Sequence, residues 1–136
     1  MTDLRSKLIR LAHERPELRG HLLPLLKGAA SQLDRARKHQ LMPAAIRSKL
    51  PKLYSQENNP DPTILVKFFS PYSQAVWYVT EFDGRDQMFG WADLGFGEGE
   101  LGYISLSELE GANRNGLPLV ERDISFRPIP LSKIMK

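Results

Sequence analysis

Six cations fall close together in this chain: Arg35, Arg37, Lys38, Arg47, Lys49 and Lys52. Neutralising a phosphate backbone requires clustered Lys and Arg, so these six are the candidate nucleic-acid surface. No RNP, zinc-finger or basic-zipper pattern accompanies them, and a solvated helix face is the competing explanation. Carboxylates offer a second chemistry. Glu121 and Asp123 sit two apart, on one face of a strand, and Glu81 lies in another β-rich run. Such a trio suits Mg²⁺ and phosphodiester hydrolysis by a metal-dependent nuclease. The lysine that a nuclease sets just after an acidic strand residue is missing, since no Glu-x-Lys or Asp-x-Lys occurs. Carboxylates paired with Arg122 or Arg127 are the plainer reading.

The remaining chemistry is sparse. The three histidines, His13, His21 and His39, all lie in the front half, so a Ser-His relay in the back half would need one delivered to it. His13-Glu14 starts like a zinc-protease motif, but position 17 is Glu and Pro16 interrupts the helix that must present the ligands. Cysteine is absent, which excludes disulfides, thiolate zinc sites and cysteine nucleophiles. Gly95-x-Gly97-x-Gly99 matches neither phosphate-loop pattern, and Glu98 and Glu100 would repel a phosphate; a flexible loop or bulged strand is expected there. Trp77, Tyr78, Trp91 and Tyr103 would suit base stacking if they shared a sheet face. No catalytic residue, metal or cofactor is expected.

These residues must be positioned by two kinds of element. Leu4, Leu8 and Leu11 repeat at helical spacing, and a second helix is expected from Pro24 to about His39. Leu22 to Leu26 reads LLPLL, a short docking-type motif. With the first stripe it supplies the candidate protein-binding residues Leu4, Leu8, Leu11, Leu22 and Leu26. A third helix is expected over Pro43–Leu50, with Pro43 at its first position. Gln56–Pro62 is polar and proline-rich, a linker.

Beyond it lie four expected strands: Thr63–Phe69, Ala75–Phe82, Gln87 to about Leu94, and Leu119–Phe126. The densest apolar run, Ile64–Phe82, forms the centre of the sheet, as a hairpin turning at Ser70–Gln74. Alternation sets Ile64, Val66 and Phe68 on one face. In the second strand it sets Val76, Tyr78 and Phe82 opposite Trp77 and Val79; in the fourth it groups Val120, Ile124 and Phe126. Asp83–Asp86 is a hairpin turn. Ser105 to Glu108 is a capping box opening a helix, Leu106–Glu110, that Gly111 stops.

At 136 residues, 41% hydrophobic and 26% charged, the chain has the makings of one ordinary core. The charge of +3 is unevenly divided: residues 1–52 carry +8 and residues 53–136 carry −5. A front half this basic draws nucleic acid or an acidic partner, unless the two halves neutralise each other. No signal-peptide core or membrane-length apolar run occurs, so a cytoplasmic protein without membrane attachment is expected.

Five segments carry a resemblance: KLPKLYSQE (Lys49–Glu57), VKFF (Val66–Phe69), WYVTEFD (Trp77–Asp83), ELGYISLSELE (Glu100–Glu110) and LPLVERDISFRPIPL (Leu117–Leu131). From about Leu41 to Ser132 the chain resembles the bacterial and phage family known as domain of unknown function 2958. The resemblance implies a compact α+β domain borne on phages, plasmids and other mobile elements. It brings no activity, cofactor or catalytic residue. Phe82 to Glu100 is shortened against the family pattern, and residues 1–40 stand outside it.

The expected architecture is therefore α+β: a small antiparallel sheet of about four strands packed with short helices (41–136), preceded by a basic helical module (1–40). The expected function is a non-enzymatic interaction protein of a phage or mobile element. Its partner would be a host or phage protein, with the front leucines serving either docking or self-association. Nucleic-acid binding and a nuclease are the alternatives.

Overall fold

The computed structural model of the chain describes residues 32–135. An antiparallel sheet of five strands organises them: β2 (Val66–Phe69), β3 (Val76–Phe82), β4 (Gln87–Asp93), β5 (Gly99–Ser105) and β8 (Glu121–Arg122), in spatial order β5-β4-β3-β2-β8. Two small ladders flank it. β1 (Thr63–Ile64) pairs with β9 (Ile129–Pro130), and β6 (Asn113–Arg114) with β7 (Leu117–Pro118). Short α-helices, α1 (Ala44–Arg47) and α2 (Leu106–Gly111), complete the α+β fold with further α-helical residues at 32–37 and a 3₁₀ turn at Leu131–Lys133. The expected leucine stripe lies outside the described residues, as do His13 and His21.

Turn chemistry holds the strands in register. Gly84 takes φ 85°, and the Asp83 carboxylate accepts the backbone N–H groups of Arg85, Asp86 and Gln87, closing the β3–β4 hairpin. Asn115 and Gly116, at φ 52° and 85°, make the paired left-handed turn that joins β6 to β7. The capping box forms as expected: the Ser105 hydroxyl accepts the Glu108 N–H and starts α2. Gly111 is the last helical residue and is not left-handed, so Ala112, turning extended, ends the helix. Pro43 is the N-cap of α1 rather than its first residue, and that helix is one turn long.

The core lies on one face of the sheet. Val66, Phe68, Val79, Phe82, Met88 and Ile104 meet Leu41, Met42 and Leu50 from the α1 region, Leu106 and Leu109 from α2, and Val120. Three expectations change here. First, Phe82 does not share a face with Val76 and Tyr78. A bulge falls between Val79, which pairs with Gly90, and Glu81, which pairs with Phe89. The extra residue, Thr80, reverses the alternation and delivers Phe82 to the core opposite Met88. Second, the loop expected around Gly95 and Gly97 forms, but the residues that follow it, outside the four expected strands, make β5, a full edge strand paired with β4 over all seven of its residues. Third, the strand expected over Leu119–Phe126 shrinks to β8. Val120 is buried whereas Ile124 is 73% exposed, because the chain leaves the sheet after Arg122.

A candidate protein-binding site on the outer face

The bulge that turns Phe82 inward leaves Thr80 and Glu81 on the floor of a cavity. It holds about 440 Å³ and lies on the sheet face opposite the core. Phe89 of β4 and Leu101 and Tyr103 of β5 continue the floor. They reach the same face because Phe89 pairs with both Glu81 and Tyr103 across the ladders. The Phe89 and Tyr103 rings meet edge to face, 5.4 Å between centroids.

One wall is the segment expected to be a free linker, and Glu81 is the reason. Its carboxylate is buried, and its two oxygens accept the backbone N–H groups of Tyr54 (3.1 Å) and Gln56 (2.8 Å). Tyr54 takes φ 69°, a left-handed conformation that a tyrosine rarely adopts and that this anchor sustains. The phenol is thereby held over the rim. There the Tyr103 hydroxyl donates to the Tyr54 oxygen at 3.2 Å, which raises the Tyr103 pKa. The opposite wall is the C-terminal segment, through Leu131 and Met135. Asp61 ties it down, accepting the Ser132 backbone N–H (2.9 Å) and hydroxyl (2.7 Å); these bonds hold the Asp61 carboxyl below its usual range. Leu131 N–H donates to Pro62 O in the same joint.

Beyond β5 a second depression, about 310 Å³, is lined by Ala92, Leu94, Phe96, Glu98, Glu100 and Ile104. It shares Leu101 and Tyr103 with the first. Tyr54, Leu94, Phe96, Leu101, Tyr103 and Met135 all border one or the other, each at least 40% exposed. Sequence patterning missed this surface, though two signals were present. Glu81 interrupts an otherwise apolar strand, and a buried carboxylate needs partners from elsewhere in the chain. Phe96 stands among glycines and glutamates with no apolar face to join.

The expected site residues fare unevenly. Arg37 is withdrawn from any phosphate. Its side chain is buried, and it donates to the carbonyls of Val120 (2.7 Å) and Glu110 (3.2 Å) while pairing with Asp34. Burial shifts both partners against their charged forms, lowering the Arg37 pKa and raising that of Asp34. Arg35, Lys38, Arg47, Lys49 and Lys52 remain exposed, and Arg47 donates to Gly84 O with its guanidinium 5.5 Å from the Phe82 ring centre. The carboxylates Glu81, Glu121 and Asp123 do not converge. Glu121 pairs with Phe69, which faces Val76 at the far end of β3 from Glu81, on the order of 15 Å along the strand. Asp123 lies 3.9 Å from Lys67. Among the described residues no group of three acidic or histidine side chains is placed to hold a metal. Of the aromatics, Tyr78, Trp91 and Tyr103 share the outer face, and Trp77 packs against the core.

His39 accepts the Arg122 backbone N–H on Nε2 at 3.1 Å, so only its neutral form fits. Burial lowers its pKa below the usual 6.5, and the charges of Arg122 and Arg37 add to the shift. The native state then binds this proton less readily than the unfolded chain does. Stability from His39 is complete above about pH 6.5 and is lost as pH falls through the lowered folded pKa. We expect the urea midpoint to decline from pH 7.5 to 5, and His39→Gln, whose amide oxygen also accepts an N–H, to flatten the decline. Parallel profiles for the two proteins would refute this.

No helix among the described residues is long and apolar enough to cross a membrane. No curated protein and no solved structure matches the chain. A family match does exist, and it begins at residue 36, so it takes in the inward-turned Arg37 and His39 with the whole sheet. Matching over residues 36–136, the chain belongs to the family described as Protein of unknown function (DUF2958).

Proposed function

We propose that this domain is a non-enzymatic interaction module that binds a polypeptide along the β5 edge, through the depressions on its two faces. One observation carries the reading. Of nine large hydrophobic side chains exposed among the described residues, six border the two adjoining depressions, while Tyr72, Leu117 and Ile124 lie elsewhere. Apolar side chains gathered at a concavity mark a surface that a partner covers. The polar groups of the site serve architecture: Glu81 holds a loop, Asp61 holds the C-terminal segment, and the tyrosine hydroxyls hold each other. In the phage or mobile-element setting that the resemblance implies, the partner would be a host or viral protein.

Nucleic-acid binding through the exposed Arg35, Lys38, Arg47, Lys49 and Lys52 is the rival, and the two readings separate on variants. Random peptides displayed and selected on the wild-type protein should lose about tenfold or more in affinity on Leu101→Asp and be unaffected by Arg35→Glu. Leu101 is 45% exposed, so the change leaves the fold intact. Failure to enrich any peptide that distinguishes Leu101→Asp from wild type would end the interaction reading.

A further inference from the structure

Building on that reading, we infer that β5 receives its partner as an added sheet strand: an extended peptide alternating basic and apolar residues. β5 is the terminal strand of the sheet, and none of the other described strands pairs with its outer side. In an antiparallel pair, alternate residues turn their N–H and C=O groups away from the neighbour, so β5 presents a row of backbone donors and acceptors that no described strand uses. Natural edge strands are commonly blocked by lysine, proline or a covering element. β5 carries neither residue; its sequence is GELGYIS.

The two faces of this edge ask for different side chains. Leu101 and Tyr103 point to the outer face, where they line the cavity together with Tyr54 and Met135. Glu100 alternates to the other face, and Glu98 lies with it along the second depression. An incoming strand also alternates, so apolar residues at every second position meet the cavity and those between meet Glu98 and Glu100.

Charge settles the identity of the second set. Residues 86–113 contain six Asp or Glu and no Lys or Arg. Among the described residues the cavity lining also has Glu57 and Glu81 but no cation. Basic side chains complement this field, and nucleic acid is repelled by it. A second copy of this chain is disfavoured for the same reason. Two β5 edges laid together would bring Glu98 and Glu100 of both copies along one seam without a compensating charge. The glutamates thus guard the edge against self-pairing while leaving it open to a basic strand.

The test uses a blocked peptide of alternating lysine and valine, about eight residues long, with the intact chain. Amide hydrogen exchange in β5 should slow on binding. N-methylation of alternate peptide nitrogens, which spares charge and side chains but removes the strand bonds, should weaken binding by about tenfold or more. Glu100→Lys should shift preference toward the corresponding glutamate–valine peptide. Equal binding of the N-methylated peptide, or unchanged β5 exchange in the complex, overturns strand addition. That result would leave the interaction module standing if selected peptides still depend on Leu101; loss of Leu101 dependence removes both.

Discussion

Gly90→Ala is expected to destabilise the domain by about 3 kcal/mol or more, enough to leave much of it unfolded or insoluble. A methyl group added at Gly90 would lie 1.9 Å from the Tyr78 carbonyl oxygen and 2.9 Å from Val79 Cα. Both are backbone atoms of the neighbouring central strand, so no side-chain rotation relieves the clash. The close approach falls beside the bulge: Gly90 pairs with Val79, the residue before the inserted Thr80, and only a residue without a side chain fits there. Gly102 is the internal control. It pairs with Gly90 from β5, yet nothing lies within 4 Å of a methyl group built there. Gly102→Ala should therefore change the urea midpoint little. If the two alanine variants unfold alike, tight backbone packing is not what Gly90 provides.

Replacing Arg37 with methionine is expected to cost about 3 kcal/mol, lowering the melting temperature by on the order of 10 °C for a domain of this size. Methionine keeps much of the volume but leaves the Val120 and Glu110 carbonyls without this donor and Asp34 without its partner. Its sequence neighbour gives the contrast. Arg35 is exposed, and Arg35→Met should move stability by no more than about 0.5 kcal/mol. Thermal melts of the two variants decide between a cation that clamps its helical segment to α2 and the chain before β8 and one that faces solvent. Equal, small effects would return Arg37 to the basic surface.

The last comparison shows where residue type ceases to be informative. Arg35, Arg37 and Lys38 are chemically alike and nearly adjacent, and a positive cluster at a helix end looks the same whichever way each side chain turns. Only the carbonyls of Val120 and Glu110, more than seventy positions away in sequence, single out Arg37. The candidate carboxylates fail by the same logic in reverse. Glu81, Glu121 and Asp123 have the right chemistry for a metal, but Glu81 on β3 and Glu121 on β8 are separated by β2 and lie toward opposite ends of the sheet.

What the amino-acid sequence determined by itself was local. Asp83-Gly84, Asn115-Gly116 and the Ser105 cap act through bonds spanning a few residues, so their outcome is encoded within those residues. The alternation of Val66–Phe69 and the apolar density of β3 likewise placed the centre of the sheet. The tertiary structure decided whatever depends on partners distant in sequence. One inserted residue at Thr80 reversed the faces of β3, because strand parity counts residues and a bulge is visible only against the opposing strand. Glu81, turned outward by that reversal, captured Tyr54 and Gln56 and made a cavity wall of a stretch that reads as a linker. The end of the glycine-rich stretch became the sheet's edge because β4 was there to pair with it on one side, while on the other side none of the described strands pairs with it.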